Sequence, residues 1–313
     1  MLAVISTDLT TKLPEEDNSL FIDHVAHAGE GSALKSTNGE HIELITGSAS
    51  ERGYTNSHGA QARFNIISYF IQLNSTHVVL LDYWNSCLRL VYRKTTIATD
   101  YTGLCTQPGY ADGGPQQAMF LRPPAMIMGM GELKDFIIVL DSLNDAIRTV
   151  NIENKMVGTL VKSEKFHFLS AMTWELSVNK EEDVLILIGA TSINKLRVSG
   201  TDFITSYGIV AGTTDNALIG FQDGGLQQAR FNNPLQIMAI AKNVYLVSDP
   251  ENSRIRLVDL ITQQVSSICT RPAPTIYGPI SKCSLQSPRA LLLQGHANVY
   301  IGADSEILRL PGE

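Results

Sequence analysis

The sequence lacks long hydrophobic runs. Its longest apolar runs, such as residues 136–140, contain five residues, whereas a membrane-spanning helix needs about 20. We therefore predict that no membrane is among the partners of this chain. Residues 1–6 are also too short and too uncharged to form a signal peptide.

An excess of positive charge is missing too. The chain has 24 Lys and Arg residues against 31 Asp and Glu residues, which gives a net charge of -7. Proteins that bind nucleic acids present a basic surface to the phosphate backbone. This balance argues against a nucleic-acid partner.

The usual motifs of catalysis and metal binding are absent. The sequence contains no Cys-x-x-Cys pair, no Gly-x-Ser-x-Gly, no His-Glu-x-x-His and no phosphate-binding loop. His24 and His27 are three residues apart, but their segment has the character of a turn and not of a helix. Glu175, Asn65 and His167 are isolated polar residues that no spacing rule selects. We predict no catalytic residue, no metal and no cofactor, and hence a protein that is not an enzyme.

What the sequence does contain is an internal repeat of about 55 residues. One motif reads Gly, aromatic, any residue, Asp or Asn, with Ala and Phe at fixed distances behind it. It begins at Gly53, Gly109 and Gly220, and a weaker copy begins at Gly278.

A second motif keeps the same spacing. It is an apolar run followed by Asp, two residues, Asn, and then an aliphatic residue before Arg. The clear copies have Asp82, Asp141 and Asp249 at the Asp position. Degenerate copies lie at Asp23, Ala190 and Asp304. Six copies predict six structural units.

Within a unit the apolar runs are short and are bounded by turn residues, which is typical of strands. The fifth unit, for example, predicts strands over 235–241, 244–248, 254–259 and 264–269. A four-stranded antiparallel meander that is repeated radially forms a β-propeller. We predict an all-β fold, a six-bladed β-propeller of four-stranded antiparallel blades, as one domain over 1–313. The predicted blades are roughly 1–47, 48–103, 104–160, 161–210, 211–268 and 269–313, and residues 2–6 could close the last one.

Strand direction places both motifs on one face of the predicted propeller, because the connections that carry them lie at the same ends of the strands. Aromatic and acidic residues of these loops are the candidate binding residues: Tyr83, Trp84, Tyr110, Asp112, Phe221 and Asp223. A structural role is the alternative, since Asp, Asn and Gly form turns and the same residues recur from blade to blade.

The pairing of Gly-Tyr-Ala-Asp-Gly at Gly109 with Asp-x-x-Asn and Ile-Arg from Asp141 resembles the NHL repeat. The resemblance covers the whole chain, although the first, fourth and sixth copies are degenerate. It implies a six-bladed propeller and several possible functions. Known members include RNA-binding or protein-binding domains of tripartite-motif ubiquitin ligases, the amidating lyase of peptide hormone processing, and modules of extracellular surface proteins.

The cysteines bear on the compartment. Cys87 opens the third strand of its blade and Cys105 follows the fourth, so a hairpin brings the two together; Cys269 and Cys283 lie on one rim in the same way. Extracellular NHL modules imply disulfides at these places, and four buried thiols are the alternative. Asn74 begins an Asn-Ser-Thr sequon in a loop that we expect to be exposed.

These observations predict a propeller that binds a protein partner or a small ligand on its loop-bearing face, without catalysis. They favour an extracellular or cell-surface location, with a cytoplasmic one as the alternative. An intracellular NHL domain that binds RNA or protein, and a metal-dependent lyase or hydrolase with its site in the central channel, are the alternative functions.

Overall fold

The computed structural model describes residues 22–28, 31–37, 42–48, 50–175, 183–198, 206–268, 285–294, 298–303 and 306–311. The chain divides into two compact units. Unit 1 comprises Met1–Gly129 and Asp135–His167, and unit 2 comprises Met130–Lys134 and Phe168–Glu313. In the described ranges no helix has the length and hydropathy needed to cross a bilayer.

In the described part of the chain, unit 1 contains three antiparallel sheets. Sheet 1 consists of β1 (Ile22–Ala28), β2 (Gly31–Thr37) and β3 (Ile42–Ser48). Sheet 2 consists of β4 (Ser57–His58), β5 (Ile67–Asn74), β6 (His77–Asp82), β7 (Cys87–Tyr92) and β8 (Ile97–Thr102). Sheet 3 consists of β9 (Ala125–Met128), β10 (Phe136–Asp141), β11 (Ala146–Asn151) and β12 (Val157–Lys162).

The described ranges of unit 2 contain three further sheets, which are also antiparallel. Sheet 4 consists of β13 (Ala171–Trp174), β14 (Asp183–Ile188), β15 (Ser192–Val198) and β16 (Ser206–Gly212). Sheet 5 consists of β17 (Gly224–Gly225), β18 (Gln236–Ala241), β19 (Val244–Asp249), β20 (Arg254–Asp259) and β21 (Gln264–Ile268). Sheet 6 consists of β22 (Pro288–Gln294), β23 (Asn298–Ala303) and β24 (Glu306–Pro311).

The helices of the described ranges are single 3-10 turns in the connections. They cover Gly59–Gln61, Gly131–Leu133, Ser142–Asn144, Glu164–Phe166, Asn216–Leu218 and Pro250–Asn252.

The sheets are the predicted meanders, in which each long strand pairs with the next one along the chain. First strands of neighbouring sheets contact each other: β5 contacts β9 in unit 1, and β18 contacts β13 and β22 in unit 2. Contact between inner strands is the arrangement of propeller blades. The structure therefore confirms an all-β propeller fold with four-stranded antiparallel blades.

The number of blades differs from the prediction. Sheets 2, 3, 4 and 5 contain a complete four-stranded meander, whereas sheets 1 and 6 contain three strands in the described ranges. In the described ranges the structure thus shows four blades, not six, because sheets 1 and 6 each have three strands there. Residues 2–6, which were expected to close the last blade, lie outside the described ranges.

Two sequence interpretations near the N-terminus were wrong. Asp23 lies near the start of β1, whereas Asp82 and Asp141 end their strands, so Asp23 is not a copy of the second motif. The segment around His24 and His27 is a strand and not a turn. Alternating small and polar residues in a short segment suit both conformations, and pairing with β2 decides between them.

The cores lie between neighbouring sheets of one unit. Strand β6 is buried on both faces from Val78 onward, as expected for a strand that is covered by a sheet on each side. The Phe of the first motif fills the same place in three repeats, and each copy is fully buried: Phe64, Phe120 and Phe231. Burial of such a ring contributes about 2 to 3 kcal/mol, so this motif position is a core position.

Candidate functional site

A disulfide joins Cys87 and Cys105, as predicted. Leu88 pairs with Thr102 across β7 and β8, which places Cys87 opposite the chain that leads to Cys105. The N–H of Thr106 donates to the carbonyl of Asn85 at 2.7 Å, so this connection is tied to the loop between β6 and β7. Cys269 and Cys283 lie outside the described ranges, and their pairing stays a prediction.

The second motif forms a buried polar network in sheet 2. The Asp82 carboxylate accepts hydrogen bonds from the N–H of Asn65 at 2.7 Å, from Asn85 Nδ2 at 2.9 Å and from Arg89 Nη1 at 2.9 Å. Asn85 also donates to the carbonyl of Gly53 at 2.8 Å. The two motifs therefore meet at the same ends of the strands, where the sequence placed them.

Arg89 carries the network to the first motif. Its guanidinium lies 4.9 Å from the ring centre of Tyr54 and 5.0 Å from that of Phe64. Its Nη2 donates to Asn56 Oδ1 at 2.6 Å and to the carbonyl of Thr55 at 3.2 Å. Burying a guanidinium costs little free energy when its N–H groups have hydrogen-bond acceptors and its faces stack on aromatic rings.

Sheets 3 and 5 repeat this network. Arg148 pairs with Asp141 at 2.9 Å and with Asp112 at 2.6 Å, and Arg256 pairs with Asp249 and Asp223 at 2.9 Å each. The ring of Tyr110 stacks on Arg148 at 4.8 Å, and that of Phe221 stacks on Arg256 at 5.0 Å. Four of the six candidate binding residues thus have structural partners: Tyr110, Asp112, Phe221 and Asp223.

Burial perturbs the carboxylates of the network. Desolvation raises the pKa of Asp82 from 3.8 to about 6, against the opposing effects of Arg89, Asn85 and the N–H of Asn65. Burial likewise raises the pKa of Asp141 and of Asp249. Water is excluded from these sites, so the ionised form depends on the hydrogen bonds of the motif.

We expect Asp82 to make the folded state less stable as the pH rises from about 4 to about 6. A raised pKa means that the folded chain binds this proton more tightly than the unfolded chain. The stabilisation that comes from this difference is therefore complete below about pH 4 and is lost above about pH 6. Urea denaturation of the wild type and of Asp82→Asn across this range measures the effect. Identical pH profiles for the two proteins would contradict it.

Tyr83 and Trp84 differ from the other four candidates, because they occupy the two variable positions of the motif. Their rings lie 5.7 Å apart, nearly perpendicular to each other. The N–H of Tyr83 donates to the carbonyl of Ile66 at 2.8 Å, and that of Trp84 donates to Asn65 at 3.0 Å. Trp84 is 42% exposed, so a rigid loop presents this ring to solvent.

Arg122 completes this cluster, and sequence reasoning missed it. Its guanidinium lies 3.9 Å from the ring centre of Trp84, and its N–H donates to Ser86 Oγ at 3.2 Å. In the part of the chain that the structure describes, the guanidinium has no carboxylate partner. Arg89, Arg148 and Arg256 each pair with a buried Asp, which distinguishes them from Arg122. We call Tyr83, Trp84 and Arg122 the rim cluster.

Arg122 has a left-handed backbone with a φ of 47°. The residue two places after the buried Phe or Leu of each repeat has the same conformation: Ile66, Arg122, Phe168, Asn233 and Ser287. Glycine adopts it at least cost, yet no repeat has glycine there, and the side chain differs in every copy. The spacing behind Phe64, Phe120 and Phe231 is the signal that could have identified these positions.

The other polar candidates of the sequence form separate pairs. His167 Nδ1 lies 2.6 Å from Asp145 in unit 1, and Lys195 lies 2.8 Å from Glu175 in unit 2. The backbone of Asn65 accepts a hydrogen bond from the N–H of Trp84 and donates one to the Asp82 carboxylate. Among the described residues, no group of three or more His, Cys, Asp or Glu side chains could hold a metal ion.

Comparison with known proteins identifies the fold. No protein-family model and no curated protein matches the sequence, so the NHL family stays a prediction. Auxiliary nutrient binding proteins from Bacteroides thetaiotaomicron VPI-5482 and Bacteroides ovatus ATCC 8483 are similar structures, with TM-scores of 0.62 and 0.60 at 11% and 12% identity. They cover 96% and 90% of this chain, which spans 66% and 63% of theirs.

A streptogramin B lyase is also similar, with a TM-score of 0.51 at 11% identity over 95% of this chain and 81% of the lyase chain. Both binding proteins and an enzyme therefore share the architecture. At such identities the likeness extends to the fold alone. The chain is similar to known β-propeller proteins.

Proposed function

We propose that this protein is a six-bladed propeller of the NHL type that binds a protein partner or a small ligand, without catalysis, outside the cell. The rim cluster is the observation that carries the proposal. It combines an exposed indole ring with a guanidinium whose donors have no carboxylate partner among the described residues.

The chemistry of the rim cluster selects the kind of ligand. The exposed part of Trp84 offers a flat apolar surface, which suits a sugar ring, an aromatic ring or an aliphatic side chain. Arg122 offers several donors in a plane, which suit a carboxylate or another oxyanion. Trp, Tyr and Arg are also the residues that dominate binding energy in protein interfaces. We therefore expect a ligand with a flat apolar part next to an acidic group.

The backbone conformation of Arg122 is set by its position in the repeat. A left-handed conformation costs a residue other than glycine roughly 1 kcal/mol or more. In the third repeat the residue with this conformation is Arg122, whose side chain is half-buried and is not part of the core. The same conformation recurs at Ile66, Phe168, Asn233 and Ser287, so it is a property of the repeat, and the proposal rests on the chemistry of the side chain at this position.

The disulfide and the structural neighbours support the location and the class. A disulfide between Cys87 and Cys105 persists in an oxidising compartment. Two of the similar structures are nutrient binding proteins, which favours a binding role. The repeat spacing supports six blades, with sheets 1 and 6 as the remaining two.

We expect Trp84→Leu and Arg122→Asn each to weaken ligand binding by tenfold to 100-fold without loss of folding. Leu143 and Asn233 occupy the matching positions in other repeats, so both substitutions suit the local backbone. Loss of one charged hydrogen bond costs about 1.5 to 3 kcal/mol, which corresponds to this range.

Isothermal titration calorimetry measures the affinity of the wild type and of both variants. Tryptophan fluorescence reports on the site in the wild type and in Arg122→Asn, because Trp174 is buried while Trp84 is exposed. Acidic oligosaccharides, neutral oligosaccharides and acidic peptides serve as probes, and iodide quenching reports whether a probe covers Trp84. Glu251→Ala, at the position that matches Trp84, is the control. Failure of every probe to protect Trp84, or equal affinity of both variants and the wild type, would refute the proposal.

A further inference from the structure

The hairpin between β5 and β6 carries the sequence Asn74-Ser75-Thr76. Asn74 pairs with His77 across the hairpin, so Ser75 and Thr76 form its tip. Asn74 and Ser75 are exposed. Asn-x-Ser/Thr occurs once in the 313 residues, at Asn74. This tripeptide is the acceptor sequence for N-linked glycosylation.

The side chain of Asn74 has the hydrogen bonds of an Asx turn. Its Oδ1 accepts from the N–H of Thr76 at 2.9 Å and from Thr76 Oγ1 at 2.8 Å. His77 Nδ1 lies 3.0 Å from the same oxygen. All of these contacts fall on the amide oxygen. The amide nitrogen Nδ2, to which a sugar would be joined, takes part in none of them.

The neighbouring hairpin holds this tip in place. The N–H of Arg93 donates to the carbonyl of Thr76 at 2.9 Å, and Arg93 Nη1 donates to that of Ser75 at 3.3 Å. The rings of His77 and Tyr92 lie 4.8 Å apart, edge to face. Backbone and ring contacts therefore order the hairpin, and the Asn74 side chain is not needed to fill a core.

Asn74 lies at the opposite end of sheet 2 from the rim cluster. Strand β6 runs from His77 to Asp82, a length of about 17 Å, and the Trp84 loop follows its far end. A bulky, solvated sugar chain at Asn74 would leave the rim cluster open. The other asparagines of sheet 2 do not offer this freedom, because Asn85 is buried in the polar network.

We infer that Asn74 carries an N-linked oligosaccharide. The donor is a polyprenyl-diphosphate oligosaccharide of the secretory pathway. Asn74 Nδ2 forms a bond to the anomeric carbon of the first sugar and gives up one proton. The bond from that carbon to the diphosphate oxygen breaks, and the lipid diphosphate leaves with the bonding electron pair. No oxidant or reductant takes part.

Secretion of the full chain from animal cells behind a cleavable leader tests this site. We expect one glycan on the peptide that contains Asn74. Amidase treatment in heavy-oxygen water should release it and convert Asn74 to labelled Asp. Thr76→Ala and Asn74→Gln should remove the modification completely. Ser75→Ala keeps the sequon and the hairpin, so it should keep the glycan.

The Cys87–Cys105 disulfide in the same digest reports that the molecule folded in an oxidising compartment. Molecules with this disulfide and an unmodified Asn74 would overturn the inference, and so would a glycan that survives Thr76→Ala. If little protein is secreted, the same peptides from the disulfide-containing intracellular pool decide the question. Trp84→Leu should leave occupancy unchanged, so the outcome is independent of the proposed ligand site.

Discussion

Arg148→Met is expected to lower the free energy of unfolding by about 3 to 5 kcal/mol. Arg148 and Asp141 are both fully buried, and their side chains are 2.9 Å apart. The substitution leaves the Asp141 carboxylate in the core without its cation. An uncompensated buried charge costs more than the pair itself contributes, because its desolvation is no longer offset.

Arg148→Met also removes contacts other than the ion pair. Arg148 also donates to the carbonyls of Ala111 and Met119, at 2.7 Å and 3.1 Å. Its faces carry the rings of Tyr110 and Phe120, at 4.8 Å and 5.2 Å. These contacts fix the connection that leads into β9. We therefore expect the connection to loosen and not merely the Asp141 site.

Urea denaturation of the full chain, followed by circular dichroism, measures the effect. Arg52→Met is the control, because Arg52 is exposed, and a change within about 0.5 kcal/mol is expected there. Adding Asp141→Asn to Arg148→Met should recover part of the loss, since it removes the buried charge. A loss below 1 kcal/mol in Arg148→Met would show that the network does not hold the blade together.

Removal of the Cys87–Cys105 disulfide is expected to cost about 3 kcal/mol. The two residues are 18 apart in sequence, and closing a loop of this length restricts the unfolded chain by roughly that amount. Cys87→Ala introduces the residue that sheet 3 has at the matching position, Ala146, which is buried just as completely as Cys87. The variant Cys87→Ala/Cys105→Ala therefore tests the cross-link without a large change in packing.

Denaturation with and without a reductant separates the cross-link from other effects. The wild type should lose stability when it is reduced, and the reduced variant should match the reduced wild type. A response of the variant to reductant would point to a second bridge, as predicted between Cys269 and Cys283. Equal stability of the oxidised wild type and the variant would contradict a stabilising role for the bridge.

The blade strands follow from local pattern. The predicted strands of the fifth unit, 235–241, 244–248, 254–259 and 264–269, lie within one residue of β18, β19, β20 and β21 at each end. Short apolar runs between turn residues encode this directly. The pairing of Cys87 with Cys105 was accessible for the same reason, because a hairpin register is set by residues close in sequence.

The roles of the loop residues do not follow from local pattern. Asp112 and Tyr110 are partly exposed, yet both also contact the buried Arg148, some 36 residues later in the sequence. Arg122 lies outside both sequence motifs. Only its contact with Trp84, which belongs to the loop of another sheet, assigns it to the rim cluster. Such contacts depend on how neighbouring blades pack, and the repeat pattern of the sequence does not specify this packing.

The sequence by itself determined the repeat, the antiparallel meanders and one disulfide, because each depends on spacing and on short-range pairing. The tertiary structure decided that four blades are complete, that the recurring Asp, Asn and Arg form a buried network, and that Trp84 and Arg122 share a surface. The physical reason is the difference between the two kinds of interaction. Strand periodicity is local, whereas burial of a charge and exposure of a ring are set by the neighbouring sheets.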